Sequence, residues 1–332
     1  MSKIYDALRQ AQLLRKQEQE PSARPAGPDA TQPDAESTPT PPAADATDPG
    51  QSRSPFSKPS LRQTAPTTPG ARDYKVVSVV SNKGGVGKTT IAVNLAVYLR
   101  AMREDEPVLL LGFDDQTTLD RMFEVDPPKP GEDMLAAFDA GSFRRFARMG
   151  QYGVDYVPTT RDLSALKARL SSPAELQTLL DDSDRKGFVL IDTKSDFEIL
   201  TQGALDASDL ILVVVKDHAS LIEARRVFDR LEQLGRPRET ARIVLSLVDR
   251  RVKYRGEETT DVLGHLLTEI RREGYPVFET FISRSPKVES LYTNPEGRAF
   301  SIIQGASGSM VHRQMRSLTD EVLGALSPSE NP

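Results

Sequence analysis

No cysteine occurs in the 332 residues. Disulfides, thiol catalysis and cysteine-held metal clusters are therefore excluded. Histidine is scarce too, with three in the chain. His218 stands far in sequence from the other two, so a histidine-based metal or catalytic centre has little to draw on. No apolar run approaches the ~18 residues of a membrane span, and the apolar core of a signal peptide is missing. The cytoplasm is the expected compartment. There is no excess of positive charge; the formal net charge is −5. Any nucleic-acid contact must come from a local basic patch rather than from the overall field. No internal repeat is visible.

Proline is present in quantity and unevenly placed: half of the 24 prolines precede Tyr74. Residues 21–72 are rich in Pro, Ala, Ser, Thr and Asp and poor in large apolar side chains, the composition of a disordered tether. Before it, residues 1–20 carry a short amphipathic pattern. Ile4, Ala7, Leu8, Ala11 and Leu14 share one face, and Ser2 is placed to cap it. Such a helix is too short to stand alone. It either docks on its own domain or serves as a helical ligand for an activator or cargo protein. Residues 73–327 then form one domain of about 260 residues, large enough for a sizeable core.

Within that domain, apolar strands alternate with helical patterns. The strands are expected at 75–80, 107–113, 154–157, 187–192, 209–215, 242–248 and 276–280. The helices are expected at 88–103, 132–139, 162–181, 195–206, 219–235, 257–273 and 309–326. The fold class is α/β, a mostly parallel twisted sheet with helices on both faces. Ligands of such sheets bind beyond the carboxyl ends of the strands.

One stretch stands at such an end. Residues 75–90 read KVVSVVSNKGGVGKTT: a β-branched run, a glycine-rich loop, then a helical pattern with Ile91, Leu95 and Leu99 on one side. Gly84, Gly85 and Gly87 let the backbone wrap an anion, with N–H groups and the helix dipole directed at it. Lys88 can reach β/γ-phosphates, and the Thr89 hydroxyl can ligate Mg²⁺. Val86 and Thr90 complete the cradle. Asn82 occupies the position where the common phosphate-loop pattern has glycine, and Lys83 adds a second lysine directly before the glycine pair.

KGGVGKTT resembles the deviant Walker A motif of the ParA/MinD family of P-loop ATPases. The resemblance covers the chain from Asp73 onward and not the residues before it. It implies a Mg-dependent ATPase that forms an ATP-sandwiched homodimer and works as a positioning or partitioning switch. It also implies that Lys83 reaches the partner's nucleotide in trans, in the manner of an arginine finger. Residues 112–116 read GFDDQ and are similar to the family's DxDPQ, so Asp114 matches the carboxylate that orients the attacking water. Gly112 and Asp115 depart from that pattern. Asp192, ending GFVLID, matches the Walker B aspartate that helps hold Mg²⁺. Lys194 stands where the family has proline. Asp114, Asp115 and Asp192 are each also candidates for helix N-caps, and Asp217 reads as a cap or hinge.

The segment 249–255 carries Arg250, Arg251, Lys253 and Arg255 around Tyr254. In ParA-type relatives basic residues in this region bind DNA through phosphates, without sequence preference. The alternative is a solvated loop paired with Glu257 and Glu258. Two other functions stay open. MSKIYDALRQA resembles the start of polysaccharide-export tyrosine kinases, although no tyrosine follows Tyr292. The departures at Gly112, Asp115 and Lys194 would also suit a scaffold that binds nucleotide without hydrolysing it.

Overall fold

The computed structural model describes residues 73–114, 118–181, 186–249, 251, 253–254, 260–293 and 297–327. The expected N-terminal helix (1–20) and linker (21–72) lie outside the described residues. Strand β1 (Tyr74–Val80) leads through the glycine loop into helix α1 (Lys88–Met102). Then follow β2 (Val108–Phe113), α2 (Thr118–Phe123), α3 (Met134–Asp139), β3 (Arg148–Met149), β4 (Asp155–Tyr156), α4 (Leu163–Lys167) and α5 (Ala174–Asp181). The second half holds β5 (Gly187–Thr193), α6 (Ile199–Ala207), β6 (Leu210–Val215), α7 (His218–Gln233), β7 (Ala241–Leu245), β8 (Lys253–Tyr254) and β9 (Thr260–Asp261). Helices α8 (Val262–Glu273), α9 (Pro286–Ser290), α10 (Ile302–Gly305) and α11 (Met310–Leu326) close the chain.

Among the described residues the main sheet runs β3-β4-β2-β5-β1-β6-β7. All its pairings are parallel except the edge pair β3–β4. Strand β1 lies between β5 and β6, so the chain reverses its direction of travel across the sheet there, and the crevice above β1 is the expected ligand position. Strands β2, β5 and β6 are buried along their whole length, as helices on both faces require. On one face Val76, Leu109, Leu111, Val189 and Ile191 meet Leu163, Leu176, Leu200 and Ala204 of α4, α5 and α6. Further along, Ile211, Val213, Ile243 and Leu245 meet Leu221, Phe228, Leu266 and Ile270 of α7 and α8. Helix α1 is buried almost all round between the sheet and α11. No helix among the described residues is long and apolar enough to cross a membrane.

Three departures from the sequence expectation have a clear local cause. The pattern at 162–181 is two helices, α4 and α5, because Pro173 lacks an N–H and disfavours helical backbone before it. The expected strand 276–280 touches β7 through one bridge, Ile243 to Val277. Pro276 has no donor for a ladder, and the N–H groups of Glu279 and Thr280 donate instead to the Glu321 carboxylate at 2.7 and 2.9 Å. The expected helix 257–273 begins only at Val262, where the Asp261 side chain accepts from the N–H of Gly264 at 2.8 Å. Thr260 and Asp261 belong to the small antiparallel pair β8–β9.

Candidate functional site

Chemically committed side chains converge on the loop between β1 and α1. Gly85 and Gly87 take positive φ, 66° and 96°, which lets the loop curl back over the first turn of α1. A Cβ at Gly87 would lie 3.0 Å from Ser246 Oγ and 3.8 Å from Leu247 Cγ, so β7's exit packs directly on the loop. Leu247 itself is held at φ 54°, a costly backbone for a branched side chain. Gly84 and Gly85 are exposed, while Val86 is buried and anchors the loop.

Lys88 is buried, an uncommon state for a lysine. Burial lowers its pKa, and the carboxylates of Asp192, Asp114 and Asp196 pull it back up. Its Nζ donates to Ser195 Oγ at 2.5 Å and, at 3.5 Å, to the Lys83 carbonyl. Asp192, the penultimate residue of β5, lies between β1 and β2, in register with Val79 and Gly112. It does not serve as a cap. It is buried, and its Oδ1 has no hydrogen-bond partner. Burial pushes its carboxyl up to about 7, against the Thr89 hydroxyl and Lys88, while Asp114 pushes the same way as burial. A buried acceptor left unpaired beside a threonine hydroxyl is suited to a hard cation. Asp114, half-buried at the end of β2, bears electrostatically on both Lys88 and Asp192. Asp115 lies outside the described residues.

Gly112 now has a steric account. A Cβ there would meet Leu119 Cδ1 at 3.0 Å and Thr159 Cγ2 at 3.1 Å. Asp120 and Thr159 tie α2 to the loop after β4: the Thr159 N–H donates to Asp120 Oδ1 at 3.1 Å, and its hydroxyl donates to Oδ2.

The other wall comes from the β6–α7 turn. Asp217 caps α7 in a capping box with Ser220, and it also accepts a 2.7 Å ion pair from Lys83 Nζ. Lys216 Nζ donates to the Gly85 carbonyl at 3.3 Å. Behind the loop, Asn94 Nδ2 donates to the Thr90 carbonyl at 2.8 Å and to the Tyr292 hydroxyl at 2.9 Å.

Of the four basic residues at 250–255, Arg251 is the one whose side chain is described. Arg250 and Arg255 lie outside the described residues, and Lys253 is described as backbone of β8. Arg251 is exposed and ion-paired. Its Nε and Nη2 donate to the Asp249 carboxylate at 2.8 and 2.6 Å, which holds that carboxyl at about 2.

Sequence reasoning missed Ser195, Lys216 and Tyr292 as neighbours of the loop. Ser195 and Lys216 follow the two strands that flank β1, so the strand order would have found them. Tyr292 arrives from a distant segment and leaves no local signal.

A family model described as an AAA domain matches residues 74–235. The chromosome partitioning protein ParA of Caulobacter vibrioides is 27% identical over 232 residues, covering 66% of this chain and 84% of that one. A probable plasmid-partitioning protein ParA of Thermus thermophilus is 32% identical over 160 residues, 47% of this chain and 49% of that protein. In fold, the chain is similar to the septum site-determining protein MinD complexed with Mg-ADP from Pyrococcus horikoshii. That likeness has a TM-score of 0.58 at 21% identity, over 76% of this chain and 99% of that one.

Proposed function

The chain is a P-loop ATPase of the ParA/MinD family, and from that premise we propose that it is a Mg-dependent ATP hydrolase acting as a positioning or partitioning switch. The observation that carries this reading is the convergence of buried Lys88, buried Asp192 with its unpaired Oδ1, and Asp114 on one glycine loop. The relatives' names add partitioning, and the Mg-ADP complex of the fold neighbour adds the ligand class.

In this reading the N–H groups of residues 84–89 and Lys88 Nζ receive the phosphates. Thr89 and Asp192 would hold Mg²⁺, which supplies charge neutralisation at the β- and γ-phosphates when bound. Asp114 orients the attacking water. Lys83 leaves Asp217 and reaches the nucleotide of a second copy, so that occupancy is converted into a homodimer. The basic residues Arg250, Arg251, Lys253 and Arg255 meet nucleoid DNA through phosphates. An activator or cargo protein engages the helix at 2–20 in the cytoplasm and speeds turnover.

The test is phosphate release from Mg-ATP by the full chain, together with its mass in solution with a slowly hydrolysed ATP analogue. Turnover with an analogue-dependent dimer supports the reading. A chain that binds the analogue but releases no phosphate, with or without DNA, is instead a nucleotide-binding scaffold.

A further inference from the structure

The turn after β6 grips the phosphate loop at two points. Asp217 holds the Lys83 ammonium at 2.7 Å, and the residue before it, Lys216, donates from Nζ to the Gly85 carbonyl at 3.3 Å. The turn is a firm base for both contacts. It leaves β6, a strand buried along its whole length. The N–H groups of Lys216 and Asp217 both donate to Ser220 Oγ at 3.0 Å, and Ser220 is buried in the first turn of α7. Two consecutive residues of a fixed turn therefore reach out to a glycine pair, Gly84 and Gly85, that is exposed.

What the Lys216 contact controls follows from peptide geometry. The C=O of Gly85 and the N–H of Val86 belong to one planar trans unit and point in opposite directions. Gly85 has φ 66°, and nothing stands within 4 Å of where its Cβ would be, so that unit can turn over at little cost. The Val86 side chain is fully buried, which fixes where its N–H starts. The direction of that N–H is what remains to be set, and a contact on the Gly85 carbonyl sets it. In the sheet, β1 lies between β5 and β6. Lys216 comes from the β6 side. Asp192 and Ser195 come from the β5 side, and Lys88 is bonded to Ser195. A Gly85 carbonyl turned to Lys216 leaves the Val86 N–H turned toward the side where Lys88 and Asp192 converge.

We propose that Lys216 is a positioning residue of the phosphate loop, holding the Gly85 carbonyl outward so that the Val86 N–H faces a phosphate oxygen. This rests on the ATPase reading. It gives the two handles of the turn different tasks. Asp217 releases Lys83 when a second copy closes. Lys216 keeps its hold, because its acceptor is backbone of the same subunit.

The experiment uses the full chain, K216M and K216R. Methionine keeps an apolar stem and loses donor and charge; arginine keeps both. Affinity for a slowly hydrolysed ATP analogue with Mg²⁺, thermal melting and the Val86 backbone amide resonance are recorded for each, the last with and without the analogue. Loss of one oriented hydrogen bond predicts about fivefold weaker analogue binding by K216M. Its Val86 resonance is displaced before any nucleotide is added, and its melting temperature stays at the wild-type value. K216R restores both affinity and resonance. Wild-type affinity in K216M would overturn the proposal. So would weaker binding with the Val86 resonance unmoved in the nucleotide-free protein, because Lys216 would then act on the phosphates by charge alone. An affinity loss that follows a lowered melting temperature and is not restored by K216R would mark a merely structural role and overturn it too. Should methionine at 216 cost the fold, K216A is read in the same way. A wild-type chain that binds no nucleotide overturns the ATPase reading and this inference together. A wild-type chain that binds, beside a silent K216M, overturns this inference alone.

Discussion

Lys83 Nζ and Asp217 Oδ2 lie 2.7 Å apart within one chain. The lysine that the family resemblance assigns to a partner's nucleotide is thus engaged at home, on the residue that caps α7. Both side chains are about one-third exposed, 35% and 37%, so the contact is a weak tether that closure of a dimer can break.

The first prediction tests that tether. Asp217→Ser keeps a capping oxygen for α7 and removes the charge. Analogue-dependent dimerisation should occur at lower protein concentration, by at most about fivefold, the range of an exposed ion pair. Lys83→Ala should bind nucleotide but lose stimulated turnover. Light scattering and phosphate release read the two outcomes. Weaker dimerisation by Asp217→Ser would show that the ion pair helps the dimer rather than competing with it. Burial raises the Asp217 carboxyl, but Lys83 and the Ser220 N–H and hydroxyl outweigh it and hold it below the usual range. The tether therefore persists at neutral pH and is lost only as pH falls through that depressed value.

The second prediction concerns pH and Asp192. Its folded pKa is raised to about 7, so between the unfolded carboxylate value and pH 7 the folded chain binds more protons than the unfolded one. Stability of the nucleotide-free protein should fall as pH rises through that window, on the order of 1.4 kcal/mol per pH unit, and level off above it. Asp192→Asn should flatten the profile. Denaturant midpoints at several pH values decide. Stability that rises across the window would show that the carboxylate is satisfied in a way the geometry does not contain.

Much of this was legible in the sequence because it is local. The run 74–80, the glycine loop and the α1 pattern lie consecutively, and apolar strand-ends place Asp114 and Asp192 beyond the sheet without any knowledge of strand order. What was not legible is long-range. Ser195 on Lys88, Lys216 on the Gly85 carbonyl and Tyr292 on Asn94 join segments 107, 131 and 198 residues apart, and nothing in a strand or helix period encodes such meetings. The expected strand at 276–280 failed for the same reason. Its apolar spacing was sound, but Glu321 on α11 takes the N–H groups that a ladder would have used.

A third prediction separates backbone strain from contact in the loop. Gly87 and Gly131 both have positive φ, 96° and 79°. A Cβ at Gly131 meets nothing within 4 Å, whereas one at Gly87 meets Ser246 Oγ at 3.0 Å. Gly131→Ala should cost about 1 kcal/mol from backbone strain alone, and Gly87→Ala that amount plus the steric term. Gly87→Ala should also lose nucleotide binding, since the loop must move to relieve the clash. Melting curves and analogue titration test both. Equal stability losses would mean that the β7 exit yields freely to the loop.

The fourth prediction restores what the family pattern has at position 112. Gly112→Asp introduces a side chain whose Cβ falls 3.0 Å from Leu119 Cδ1 and 3.1 Å from Thr159 Cγ2, an overpacking cost of about 1–3 kcal/mol. It also sets a second carboxylate on β2 directly in register with buried Asp192 on β5. Like charges so placed cannot both ionise cheaply. The penalty should therefore grow with pH as Asp192 loses its proton near 7. Gly112→Ala should carry a smaller steric cost with no pH dependence beyond that of the unmodified chain. Comparing the melting temperatures of the two variants at pH 5.5 and 8 isolates the charge. A Gly112→Asp deficit that is the same at both pH values would mean the new carboxylate turns away from Asp192. The missing aspartate would then be a matter of space alone.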